Sequence, residues 1–371
     1  EDPYWWDVVD KFFELEQYHL ANLAQRHAVP VLGDAITAAR RPQIRALLEQ
    51  AQIGNSAENV ISAFERMITS AIREFPILSS VTKFEITDAR ICSLDLMDVA
   101  PQGDETADRQ TSIMYMLARH ALVRSWWLSR EAIDQMPARY QNYHEVRLQD
   151  IAESPKRLCY DEFHRTSKSY SVRGQLIRDV REGRKRGVQI VLASQLLEDF
   201  SDDMIDLATG VWVLGTAISD RVVDTTQERF GLSNTARNVI RFRLTGPRSS
   251  GAPALFVLGT TDGRYEQHLI NTLGPIELWA LSTSAEDVAI RNRLYTKLGA
   301  GRARTMLAAA FPGGSARSEI KRRVFKLSED GGSHTAATSQ IIEEIVAELI
   351  QASEDRYEAE RQRQLMGEEI E

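Results

Sequence analysis

Apolar positions in the first 80 residues recur at helical spacing. Val8, Val9, Phe12, Phe13 and Leu20 share one face, and Asp2-Pro3 ahead of them supplies an acidic N-cap followed by proline at the first helical position. A second helix is predicted over Asp34 to Gln52. A third is predicted over Ala57 to Arg73, striped by Val60, Ile61, Phe64, Ile68 and Ile72 and ended by Pro76. After Pro76 the period changes. Lys83 to Thr87 and Ala89 to Leu96 read as short β-rich runs, and Ala107 to Leu128 as a long helix. Lys156 to Tyr160 is a short strand ending in acids. Ser169 to Arg186 is amphipathic, with Val172, Leu176, Ile177 and Val180 facing inward. Val188 to Ala193 and Gly210 to Leu214 are further apolar strands. This alternation of strands and helices predicts a parallel sheet covered on both faces. Residues 252 to 272 read as a β-hairpin around Thr261-Asp262-Gly263-Arg264.

Beyond Pro275 the helical period returns over Ala285 to Leu298, Arg302 to Ala310 and Ser315 to Leu327. A linker follows at Glu329 to His334. Ser339 to Glu371 forms a last helix whose apolar face is confined to Ile341, Ile342, Ile345, Leu349 and Ile350. Past Ser353 it is nearly all polar, which suits a solvated, frayed tail or else a docking arm. The pattern divides the chain into a helical part (1–80), an α/β core (81–274), a helical region (275–335) and a charged helix (336–371).

Composition narrows this little. Apolar residues make up 43% and charged residues 26% of the 371, as in ordinary globular chains. The net charge of -8 argues against a general nucleic-acid coat, while leaving room for a local basic patch. Cys92 and Cys159 sit in apolar runs and read as buried thiols of a reducing compartment. No apolar stretch approaches the ~18 residues of a membrane span. The acidic, aromatic N-terminus is no signal peptide, and with no initiator Met the chain is expected to be part of a longer protein.

The candidate chemistry begins at Lys156-Arg157-Leu158-Cys159-Tyr160-Asp161-Glu162. A strand ending in adjacent acids puts two carboxylates at the C-terminal edge of a parallel sheet, where open α/β folds bind ligands. In nucleotide hydrolases the first acid holds hydrated Mg²⁺ and the second polarises the attacking water. Two acids capping the next helix would look the same. Lys156 to Gln195 spans one strand–helix–strand crossover, which puts the second strand beside the Asp161 strand or one position away, so Gln195 is expected at the same edge, as a phosphate-state sensor or a plain strand-end cap. Between them, Gly183-Arg184-Lys185-Arg186-Gly187 is either a set of cations closing a helix or a finger. In the second reading Arg184 reaches a neighbouring subunit's γ-phosphate through its planar fork.

In combination and order, these segments resemble the HerA/FtsK superfamily of hexameric motor ATPases. Tyr160-Asp161-Glu162-Phe163 looks like its Walker B, and Gly183 through Gln195 like its finger-and-sensor segment. Ser219-Asp220-Arg221-Val222-Val223-Asp224 is similar to a further Arg-bearing segment, and Gly251-Ala252-Pro253-Ala254-Leu255-Phe256 to the closing hairpin. Ile276-Glu277-Leu278-Trp279-Ala280-Leu281-Ser282-Thr283 followed by Glu286-Asp287 points to type IV secretion and conjugation ATPases, most similar to the DotO/IcmB branch related to conjugative TraU. The resemblance covers roughly residues 80 to 300.

It implies a partial RecA-like parallel sheet flanked by helices, with residues 1–80 as a helical insert and the C-terminal helices appended. It also implies ATP and Mg²⁺ as cofactors, with Asp161 at the metal, Glu162 as catalytic base, Gln195 as sensor, Arg184 as trans-acting finger, and Arg184, Lys185 and Arg221 on phosphate. The implied setting is a cytoplasmic homo-hexamer, peripheral at the inner membrane. There it would work with a second, DotB-like ATPase and inner-membrane secretion components on a DNA or protein substrate. One departure stands out: the chain contains no G-x-x-x-x-G-K-[ST]. The backbone cradle and lysine for the β- and γ-phosphates are therefore missing, and these residues alone are expected neither to bind ATP tightly nor to hydrolyse it. A DNA-translocating motor of the same superfamily and a non-catalytic docking module remain open as other readings.

His144 and His164 lack helically spaced metal partners and read as solvated or capping. Trp5, Trp6, Trp126 and Trp127 lie on amphipathic helices and read as packing or interface residues, and Leu278-Trp279 as packing.

Overall fold

The computed structural model describes residues 3–48, 50–52, 58–83, 86, 89–215, 219–248, 250–328 and 334–365. The expected cap Asp2, most of the 83–87 run, the 329–333 linker and residues 366–371 lie outside them. The chain divides into two compact units, Glu1–Met204 and Ile205–Glu371, a boundary that falls inside the span expected to form one core.

In the first unit, α1 (Pro3–Glu14) and α2 (Tyr18–Ala28) pack through Val9 against Ala21, Ala24 and Ala28. The alanines let the helices approach closely. Glu16, at φ 56, breaks the helix between them, so Leu20 leaves the expected face. Asp10 accepts from Arg139 and from the Tyr140 hydroxyl, and the Phe13 ring meets Tyr140 edge-on at 4.8 Å. Burial, followed by the Asp10 contact, pushes the Tyr140 phenol up to about 12. The expected helix over Asp34 to Gln52 is two helices, α3 (Leu32–Ala39) and α4 (Pro42–Leu48). Pro42 disfavours helical geometry in the residue before it and lacks the N–H a continuous helix needs. Arg40 forks onto Glu65 of α5 (Val60–Glu74) with two 2.9 Å bonds. No strand forms over Ala89 to Leu96: Ile91 is 94% exposed, and β-rich composition without a partner strand does not make a ladder.

The helices α6 (Glu105–Val123), α7 (Arg130–Asp134), α8 (Ala138–Glu153) and α9 (Tyr170–Gly183) follow, interleaved with β1 (Lys156–Tyr160) and β2 (Val188–Leu192). The two strands pair parallel in the register Lys156↔Val188 to Tyr160↔Leu192. Leu158 and Tyr160 point into a core with Tyr115, Val123, Phe163, Val172 and Leu176. The strand's period of two turns Cys159 outward, and it is exposed, as is Cys92, so neither cysteine is the buried thiol that its apolar surroundings suggested. The short helix α10 (Asp202–Asp206) spans the unit boundary.

In the second unit β3 (Gly210–Leu214) does not extend a parallel sheet. It pairs antiparallel with β4 (Ala252–Thr260), which turns through Thr261-Asp262 into antiparallel β5 (Gly263–Asn271). The protein is thus mixed α/β, with a small parallel pair and a separate antiparallel sheet among the described residues. The inward face of this sheet, Val211, Val213, Leu255 and Val257, packs with α11 (Asp220–Phe230) and α12 (Asn234–Phe242) through Val223, Ala236 and Ile240.

The last five helices are α13 (Pro275–Leu281), α14 (Ala285–Leu298), α15 (Ala300–Ala310), α16 (Arg317–Ser328) and α17 (His334–Leu365). They share one core around Trp279, Ile290, Leu294 and Leu307. Ile341, Ile342, Ile345 and Val346 of α17 are buried in it, so the first half of the charged helix belongs to this body. The Asp287 carboxylate, 1% exposed, collects the Ser284 and Ser315 hydroxyls and the Ala316 N–H, fixing the start of α16 on α14. Gly314 sits at φ +73, where a Cβ would stand 2.5 Å from Leu278 Cβ. Gly314→Ala is expected to cost about 1–3 kcal/mol in urea unfolding; an unchanged midpoint would contradict the contact.

Candidate functional site

The two parallel strands stay paired past their formal ends. Ala193 N–H donates to Tyr160 O at 2.9 Å and Phe163 N–H to Ala193 O at 2.8 Å. Residues 161–163 and 193–195 are therefore held side by side at the C-terminal edge of the pair. Between them the chain turns sharply at Glu162, which lies in the left-handed region at φ 50, ψ 46. That conformation costs a non-glycine residue of order 1–3 kcal/mol and persists only where the surroundings over-determine it.

Those surroundings are on both sides of the turn. Before it, the Asp161 Oδ1 accepts the Glu162 N–H at 3.0 Å. After it, Phe163 is fully buried between Tyr160 and Phe200, and Thr166 bonds back to Phe163 O at 2.9 Å. Arg173 of α9 lies over the Phe163 ring at 4.9 Å. It donates to Thr166 O at 3.0 Å and to Asp199 O at 2.9 Å, stapling the loop after β1 to the loop after β2. Burial lowers its guanidinium from the ordinary value, with Asp199 opposing. Asp199 also accepts from the Ser194 hydroxyl beside Gln195.

The consequence is a contact between two side chains 33 residues apart. Gln195 Nε2 donates to both Glu162 oxygens, at 3.2 and 3.3 Å. The Glu162 carboxylate remains 46% exposed, and Asp161 is exposed beside it. Under them Tyr115 and Tyr160 stack at 6.4 Å. Burial is the main cause that raises both phenols, Tyr160 to about 12, and for Tyr115 the nearby Glu162 and Asp161 add to it while Arg165 opposes. Both therefore remain neutral hydroxyls.

The cations named from sequence lie elsewhere. Arg184 and Lys185 are exposed in a 3₁₀ turn, Arg184–Arg186, which Gly187 closes at φ 65. This turn precedes β2, at the opposite end of the strand from Gln195, roughly 16 Å away along five strand residues. Arg186 is committed to packing: it donates to Leu128 O at 3.2 Å and lies over the Trp127 ring at 5.2 Å. Arg221 is exposed in the first turn of α11, in the other unit. The structure thus unites Asp161, Glu162 and Gln195 and leaves Arg184 and Lys185 apart from them within the chain.

Sequence reasoning missed Arg173 and His164. The Nδ1 atoms of His144 and His164 are both buried without a hydrogen bond, although the His164 side chain as a whole is 34% exposed. Burial, with Arg147 adding, lowers the His144 imidazole from its ordinary range. His164 Nδ1 lies 3.2 Å from Glu162 Oε2. No sequence signal marks that approach, because it depends on the left-handed turn at Glu162.

Among the described residues no group of three or more His, Cys, Asp or Glu side chains converges as a metal cage. The exposed Asp161 suits an ion that keeps most of its water and takes one or two carboxylates, as Mg²⁺ does. Asp161 thus fits a hydrated Mg²⁺ as a single carboxylate ligand, and the sequence contains no G-x-x-x-x-G-K-[ST] phosphate cradle. No protein-family model, curated protein or solved structure matches the chain.

Proposed function

We propose that the chain carries the water-activating half of an ATP-hydrolysing motor of the HerA/FtsK kind, of the branch that powers type IV secretion or conjugation. The observation that carries this reading is the Gln195 amide on the Glu162 carboxylate at the C-terminal edge of the parallel pair. A strained acid, held open to solvent beside a neutral amide from the neighbouring strand, is arranged to take a proton from a water and to sense what lies next to it. Mg²⁺ with ATP would supply the electrophilic phosphorus and neutralise charge on its oxygens.

The roles then divide by position. Asp161 holds the hydrated ion. Glu162 accepts the proton of the attacking water. Gln195, able to leave Glu162 for a phosphate oxygen, reports whether that oxygen is there. Arg184 and Lys185, exposed at the far end of β2, serve the site of a neighbouring copy in a homo-hexamer, and Arg221 is assigned to phosphate on resemblance alone. The reading requires a phosphate-binding loop in addition to these 371 residues, which contain none. The reading places the ring on the cytoplasmic side of the inner membrane, with a second, DotB-like ATPase, inner-membrane secretion components and a DNA or protein substrate. In keeping with a peripheral position, no helix among the described residues is long and apolar enough to cross a membrane.

The test is Glu162→Gln in the loop-bearing protein. Phosphate release is expected to fall by at least roughly 100-fold, with ATP binding by fluorescent-analogue titration little changed. Wild-type turnover in the variant would remove Glu162 from the reaction.

A further inference from the structure

His164 lies in the 3₁₀ turn Phe163–Thr166, whose end residues Phe163 and Thr166 are fully buried. Burial of these two residues anchors the backbone of the turn and so fixes where the imidazole starts from. Its Nδ1 is out of reach of solvent and makes no hydrogen bond, an unfavourable state for a buried polar atom left alone. The Glu162 Oε2 is 3.2 Å from it, close enough that a small reorientation of the carboxylate makes the bond.

Gln195 approaches the same carboxylate from the other strand, at 3.2 Å from one oxygen and 3.3 Å from the other. One amide group shared almost equally between two oxygens does not decide which of them faces outward. A second donor on Oε2 does decide it, by fixing the carboxylate plane and leaving Oε1 for water. On this geometry, and resting on the function proposed above, we infer that His164 is a positioning residue for Glu162. It orients the carboxylate through Nδ1–H, opposite Gln195, without touching substrate.

Two measurements test this. In the loop-bearing protein His164→Ala lowers kcat by roughly 10- to 100-fold, the scale of a misplaced catalytic group, and leaves KM within about twofold. His164→Asn, whose side-chain amide stands near the place of Nδ1, restores most of the loss. In the present chain, histidine-labelled NMR at about pH 8.5, well above the ordinary imidazole range, shows His164 as the Nδ1–H tautomer. Glu162→Ala returns it to the Nε2–H form, and His164→Ala assigns the resonance. Wild-type turnover in His164→Ala, or a tautomer that ignores Glu162→Ala, overturns the inference. A wild-type protein that hydrolyses no ATP instead sinks the proposed function. The tautomer then still decides whether His164 serves Glu162.

Discussion

Replacing Asp179 with alanine is expected to cost the first unit about 3–5 kcal/mol and to lower its melting temperature by roughly 10 °C. Asp179 of α9 is 3% exposed. It accepts from Nε and Nη2 of Arg119 on α6 and from Gln175 Nε2 at 2.9 Å. The Arg119 side chain is itself only 14% exposed, and its guanidinium lies 5.9 Å from the Trp127 ring centre. Alanine at 179 leaves that guanidinium inside the protein with no counter-charge, which is the costly way to break a buried pair. The pair itself is not worth that amount. Asp179→Leu combined with Arg119→Met should recover most of the stability, because both desolvation costs then vanish together. Thermal and urea unfolding of the two single variants and the double one separate these cases. A loss under about 1 kcal/mol for Asp179→Ala would mean that the pair is solvated and that α6 and α9 are held by Tyr115, Val123, Val172 and Leu176 alone.

That pair also shows what the sequence made legible. The inward stripe Val172, Leu176, Ile177 and Val180 placed α9, and the strand before it and the strand after it form as expected and pair parallel. Local periodicity sufficed because both strands and their helix lie within one 40-residue crossover. Asp179, among the inward residues of the same helix, gave no such signal, since its partner Arg119 is 60 residues away. The same limit accounts for β3. Its alternating Val211 and Val213 predicted a strand, but only the arrival of β4 decided that its pairing would be antiparallel. At the site, the adjacency of Glu162 and Gln195 followed from crossover geometry. The left-handed backbone of Glu162 did not, because an acid there runs against local preference. His164 and Arg173 acquire their positions from that turn, so they could not be read before it. Cys159 failed for a simpler reason: an apolar neighbourhood in sequence is shared by both faces of a strand, and Cys159 lies on the outer one, while Cys92 lies in a run that finds no partner strand.

Arg184→Ala in the loop-bearing protein is expected to lower turnover by 10³- to 10⁵-fold while ATP binding persists, the range typical of an arginine finger. The structure separates Arg184 from its neighbours in the cluster. Arg186 is spent on Leu128 O and the Trp127 face, whereas Arg184 is exposed at the end of β2 remote from Glu162. Within one chain it lies at the far end of β2 from Glu162, so on the proposed reading a large effect is exerted on a neighbouring copy. That makes a mixing experiment decisive. On the proposed roles, Glu162→Gln subunits lack the base but keep the finger, and Arg184→Ala subunits the reverse. In a ring with head-to-tail interfaces, equal mixing gives roughly a quarter of interfaces with both groups intact. Two inactive preparations should then regain activity together. If Arg184→Ala is inactive and mixing restores nothing, the trans assignment fails and the loss comes from the variant's own fold. If Arg184→Ala alone keeps full turnover, the cluster is a set of cations closing α9, stabilised by the helix dipole and by solvent.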